Sequence, residues 1–308
     1  LIGYDAGTAI TTGDDNTAVG AYSLDATTTG QNNTAIGDAA LSETTTGNHN
    51  TGVGRYALFQ NTTGGNNVAL GYQSLRSNTT ADFNVAVGYN ALYANTTGDN
   101  NTSLGREACS SNTTAIGTTG LGSLALQSNT TGDTNTAVGF AAADAITTGS
   151  YNVAVGAYAL TSAVSSGSNT AVGRSSMSSN TSGGGNTAVG KSSLQLNTDG
   201  SNSVAVGVNA LYSNTTIGGQ TAVGHSALNQ NTTGASGTAV GQNALLSNTT
   251  GSNNTALGAN AMYANTTGTQ NTACGGNSLD ANTTGSFNAS FGRASLGANT
   301  TGAENTAV

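Results

Sequence analysis

The chain is 308 residues long, enough for two ordinary globular domains, yet only 6% of it is charged and its formal net charge is −8. Six Lys and Arg cannot neutralise a run of phosphates, which excludes a nucleic-acid-binding surface. No apolar stretch approaches the ~20 residues that cross a bilayer and no signal peptide is visible, so membrane insertion of this segment is not expected.

Low charge and few aromatics resemble a disordered composition, but proline is absent and Leu, Val and Ala recur at fixed places. Leu1 and Ile2 end one repeat, and Gly3 opens the next. Glycines follow at Gly20, Gly37, Gly54, Gly71, Gly88 and onward to Gly292, always 17 residues apart. Eighteen repeats run without an insertion or deletion. Free loops tolerate length changes cheaply, so the strict spacing predicts a solenoid in which each residue sits above its counterpart one coil away. The expected architecture is all-β: a parallel β-solenoid, or β-roll, spanning 1–308 as a single continuous array. At ~4.8 Å per coil, eighteen coils would make a rod about 86 Å long. The chain starts and stops inside a repeat, which predicts a piece of a longer fibre.

Within each repeat the elements are read from the opening glycine, called column one. Column four is always Ala or Ser, and column five is Leu or Met in fifteen repeats. Around column five the reading is a short strand or irregular β-like arc, with a single helical turn as the alternative. Columns eight to eleven, typically Asn-Thr-Thr-Gly, read as the turn that closes the coil. Columns fourteen to seventeen, typically Asn-Thr-Ala-Val, alternate with period two and read as a strand. The expectation is that columns fifteen and seventeen face the core, with column five, and that Asn and the small column-sixteen residue face the other way. The Asn columns, eight and fourteen, are expected to bond up the stack as amide ladders.

One Leu and one Val per coil bury too little apolar surface to order 17 residues unaided. Backbone ladders and a second interface are therefore expected, and a homo-oligomer meeting through column sixteen is the reading. A tight turn inside the same coil is the alternative explanation for its small residues.

"NTAVG", "NVAVG" and "NTAIG" resemble the Asn-Ser-Val-Ala-Ile-Gly signature of trimeric autotransporter adhesin heads, and the whole phrase resembles repeat arrays of phage tail fibres and bacterial surface fibres. The resemblance covers the whole chain, although the repeat is longer than the usual adhesin-head unit. It implies left-handed parallel β-rolls packed as a homotrimer, and an extracellular, cell-surface or virion location.

No nucleophile–base pair, phosphate loop or carboxylate pair stands out, so no enzyme, cofactor or metal site is expected. Cys109 (column five) and Cys274 (column seventeen) read as small buried core residues, nine coils apart and beyond disulfide reach. His49 and His225 occupy variable columns and read as surface side chains. Asp14, Asp15, Asp82, Asp99, Asp133 and Glu304 gather in columns twelve and thirteen, without the repeated pattern of a calcium solenoid. Arg55, Arg106, Arg174, Lys191 and Arg293 all occupy column two. The variable columns two, three, six, seven, twelve and thirteen read as exposed corners that favour solubility, with a receptor-binding surface as the sharper reading. Tyr72, Tyr89, Tyr93, Tyr212, Tyr263 and Phe140 collect there and could stack on sugars, the alternative being that the same rings simply pack between coils or chains. The leading function is the structural shaft of a fibre that extends a receptor-binding end. A glycan-binding stalk is the second reading. An ice-binding solenoid, using the Thr of columns nine and ten, is the third.

Overall fold

A computed structural model describes residues 2–308 as two compact units, divided between Asn152 and Val153. The first carries strands β1 (Thr17–Val19) through β8 (Thr136–Val138), and the second β9 (Val153–Val155) through β18 (Thr306–Ala307). Within each unit every strand pairs in parallel with the next, at a register of one repeat. Thr17 lies opposite Thr34, Ala18 opposite Ala35 and Val19 opposite Ile36, and Thr221 opposite Thr238 in the second unit. The all-β parallel solenoid is the fold, and no helix occurs among the described residues.

Each strand from β1 to β17 spans columns fifteen to seventeen, one residue shorter than its motif, and β18 stops at Ala307. Column fourteen is lost because its N–H goes to a side chain instead of a backbone carbonyl: Asn33 N donates to Asn16 Oδ1 at 3.0 Å, and Asn50 N to Asn33 Oδ1 at 2.9 Å. The same amides donate to the turn of the next coil, Asn50 Nδ2 to Gly64 O at 2.8 Å. Column eight forms the second ladder, Asn95 Nδ2 reaching Asn78 Oδ1 at 2.9 Å. Both expected Asn ladders therefore exist, and they are buried. The column-eight ladder breaks where Asn112 turns its Oδ1 to the Ala115 N–H at 2.9 Å, leaving Asn95 Oδ1 without a partner.

The segment around column five is the irregular arc and not a helical turn. It consists of two successive turns, with Ala57 N donating to Gly54 O and Asn61 N to Leu58 O. Columns three and five are left-handed although they are seldom glycine: Tyr56 has φ 58° and Leu58 φ 52°. Such a conformation costs an L-residue roughly 1–2 kcal/mol. It persists because alternating handedness points the arc's N–H groups along the stack. Tyr56 N bonds back to Asp38 O at 3.0 Å, while Leu58 N bonds forward to Ser74 O at 3.0 Å and Gln60 N to Arg76 O at 2.9 Å. Thr62 closes the circuit with both its N–H and its Oγ1 on Thr79 O, at 2.8 and 2.9 Å. Inter-coil bonds thus run round the whole repeat, which is why no part of it tolerates an insertion.

The strand faces are the reverse of the sequence expectation. Column sixteen is the inward position: Ala18, Ala35, Ala69, Ala222 and their counterparts are fully buried. Columns fifteen and seventeen point outward and are half-buried or exposed in every described coil. The interior is too narrow for a branched residue there. A Cβ added to Gly52 would lie 3.0 Å from Leu41 Cδ1, so the column-five Leu of the opposite wall already fills the coil. The core is accordingly a thin stack of column-five Leu between Ala and Ser of columns four and sixteen.

Column one requires glycine for two reasons. Gly88 has φ 134°, and a Cβ on it would lie 2.5 Å from Gly105 O in the adjoining coil.

Candidate functional surfaces

No pocket opens among the described residues, and no three His, Cys, Asp or Glu side chains gather as they would around a metal ion.

The two cysteines separate. Cys109 is buried in column five, and burial pushes its thiol up to about 11. Cys274 is exposed, contrary to the core reading, because column seventeen faces outward. His49 and His225 are exposed, as their variable columns suggest.

The column-twelve acids have a structural job that the sequence reading missed. Asp82 Oδ1 accepts the Gly65 N–H at 2.6 Å, Asp99 Oδ1 the Asp82 N–H at 2.8 Å, and Asp133 Oδ1 the Ile116 N–H at 2.8 Å. In the second unit serine hydroxyls do the same: Ser201 for Gly184, Ser252 for Ala235 and Ser286 for Thr269. The available signal was the preference of that column for short side chains with an acceptor oxygen.

The column-nine threonines that suggested an ice-facing array are likewise engaged. Thr28 Oγ1 donates to Thr45 O at 3.1 Å and Thr249 Oγ1 to Thr266 O at 3.1 Å, so these hydroxyls belong to the ladder.

Two surfaces remain. One is the outward strand face. Column fifteen is Thr, Val or Ala, column seventeen is Val, Ile, Leu, Cys or Phe, and neither carries a charge in any of the eighteen repeats. Leu70 is 45% exposed, Leu104 44% and Phe291 43%, and their neighbours in register extend the stripe through each unit. Column seventeen is thus a regular apolar stripe, flanked by a column fifteen that is Thr in thirteen of the eighteen repeats, and such a stripe is unusual on an isolated chain.

The other is a corner of the first unit, where columns two, three and six bring together arginines and aromatic rings. Arg55 pairs with Asp38 at 3.0 Å and donates to Tyr56 Oη at 3.1 Å; these two hydrogen bonds, Tyr56 first, hold its guanidinium above its ordinary pKa. Arg106 pairs with Glu107 at 3.1 Å. Of the aromatics singled out in the sequence, Tyr72, Tyr89 and Tyr93 fall in this corner. Phe140 belongs to the same unit, and Tyr212 and Tyr263 to the other.

No protein-family model matches the chain, and no curated protein matches it.

Proposed function

We propose that this chain is a length of the structural shaft of an extracellular or virion fibre, such as a phage tail fibre or a bacterial surface adhesin, that extends a receptor-binding end. Three copies associate side by side in this reading. Their contact is the outward face of columns fifteen and seventeen, since column sixteen is spent inside each chain. The observation that carries the reading is the charge-free stripe. Water would tolerate Lys or Glu at those positions as readily as at column two, where five basic residues stand, yet none occurs. A second copy of the same stripe supplies a matching apolar partner. The Asn-Thr-Ala-Val-Gly resemblance to trimeric fibre heads supports the count of three, and inter-coil bonding along each unit suits a load-bearing element.

The test is the solution mass of the full chain beside a variant carrying Val206→Asp, Val223→Asp and Val240→Asp. The wild type is expected as a trimer and the variant as a monomer with an unchanged circular dichroism spectrum. A monomeric wild type, or a variant of unchanged mass, overturns the reading. Electron microscopy should show extended particles, and compact ones would speak against a shaft.

A further inference from the structure

The fourth to seventh repeats, residues 54–121, are decorated unlike the others. Three of the six basic residues, Arg55, Arg76 and Arg106, lie there with Tyr56, Phe59, Tyr72, Tyr89 and Tyr93. The solenoid register turns this local composition into rows. Arg55, Tyr72, Tyr89 and Arg106 follow one another in column two, and Phe59, Arg76 and Tyr93 in column six. The Tyr72 and Tyr89 rings stack, 5.5 Å apart and 11° from parallel, and the residues are 39% and 49% exposed. Arg55 Cζ stands 4.6 Å from the Tyr56 ring centre. Arg76 Cζ stands 5.4 Å from the ring centre of Phe59, 5.7 Å from that of Tyr93 and 6.0 Å from that of Tyr56.

Arg76 is the telling residue. Its Nη1 donates to Tyr93 Oη at 3.2 Å, but its buried Nε has no partner. Among the described residues no carboxylate lies within ion-pair distance of it, whereas Asp38 and Glu107 compensate Arg55 and Arg106. A guanidinium held over three rings keeps its charge and loses part of its hydration, which leaves it ready for an anion.

We propose that this corner binds an acidic polysaccharide, a polymer of sugars bearing carboxylates. No cavity opens among the described residues, and rows spaced one coil apart at ~4.8 Å offer repeated contacts to an extended polymer lying along the surface. Tyrosine rings provide rigid apolar faces for the C–H faces of sugars, with a hydroxyl at the rim for hydrogen bonds. Arg76 meets a carboxylate, and Arg55 and Arg106 flank the stacked tyrosines at the two ends of their row. The rest of a chain with net charge −8 repels a polyanion, so binding is confined to this corner.

The experiment is affinity electrophoresis and calorimetry of the full chain with hyaluronate and polygalacturonate. Dextran serves as the neutral sugar and polyaspartate as the sugar-free polyanion. Retention by either acidic polysaccharide, in preference to both controls, is expected. The double variant Tyr72→Ser/Tyr89→Ser and, separately, Arg76→Gln should each weaken binding by about tenfold or more, the loss of a contact to a charged group or of a stacked ring. Arg174→Gln, in column two of the other unit, should not. Binding of neither acidic polysaccharide, equal binding of dextran or polyaspartate, or binding unchanged in the exposed tyrosine variant overturns the proposal. The tyrosine variant keeps the test decisive if Arg76→Gln fails to fold. Because solution mass is a separate measurement, the site and the shaft reading stand or fall independently.

Discussion

Asn78 Nδ2 donates to the Oδ1 of Asn61, its counterpart one coil earlier, at 2.9 Å, and both side chains are fully buried. Asn78 also donates to Ala81 O at 3.0 Å and accepts from Asn95. An amide with an acceptor and two donors can bond to the coils on both sides and to its own turn, which Thr or Ala cannot do.

Asn78→Ala should therefore orphan Asn61 Oδ1 and cost about 1–3 kcal/mol, read by denaturant melting. Thr80→Ala, two residues on and exposed, should change stability by under ~0.5 kcal/mol. Equal effects would mean that the ladder is not structural.

The inversion of the strand faces yields a sharper contrast. Ala222→Gln forces a long side chain against a filled interior and should destabilise each chain by about 1–3 kcal/mol or more. Leu228→Asp, in the fully buried Leu column, should cost several kcal/mol by burying an unpaired charge. Val223→Thr, on the outward face between Val206 and Val240, should leave the fold of the single chain nearly unchanged. Thermal melts that rank Val223→Thr as the most harmful would restore column seventeen to the interior.

Glycines of different columns should respond differently. Gly88→Ala places a methyl against the adjoining backbone at φ 134° and should disrupt coil stacking. Gly219 has φ 70° and nothing within 4 Å of its Cβ position, so Gly219→Ala should cost only about 1–2 kcal/mol of left-handed strain. Gly219→Asn should cost less, since Asn tolerates that region and already occupies the same column with φ 57° at Asn32 and 58° at Asn66. Hydrogen exchange across neighbouring coils would read the difference.

Asp144 supplies a pH dependence. Its carboxyl is held above the usual range by burial, and its Oδ1 has no hydrogen-bond partner. Because the folded pKa is raised, the protonated form is favoured in the fold. The stability this confers is complete below the unfolded value near ~3.9 and is lost as pH rises through the higher folded value. Asp144→Asn should therefore raise the melting temperature at neutral pH and gain least at pH 3. A variant with a larger gain in acid than at neutrality would refute the assignment.

The period, the absence of free loops, both Asn ladders and the column-five Leu core were legible in the sequence, because a stacked fold writes each structural demand once per coil. Column twelve was legible in principle: Asp99 and Ser252 share an acceptor oxygen and a task, although a search for calcium sites sees only the charge. Three features came from tertiary structure alone. Period-two alternation defines two faces but does not say which is inside; the width left by Leu41 and its equivalents decides, and it admits Ala where Val was expected. The left-handed Leu58 is invisible to propensity, since its strain is offset only by bonds to the coils on either side. The uncompensated Arg76 reads as one more variable corner until the register sets it between Phe59 and Tyr93, residues 17 positions away in either direction.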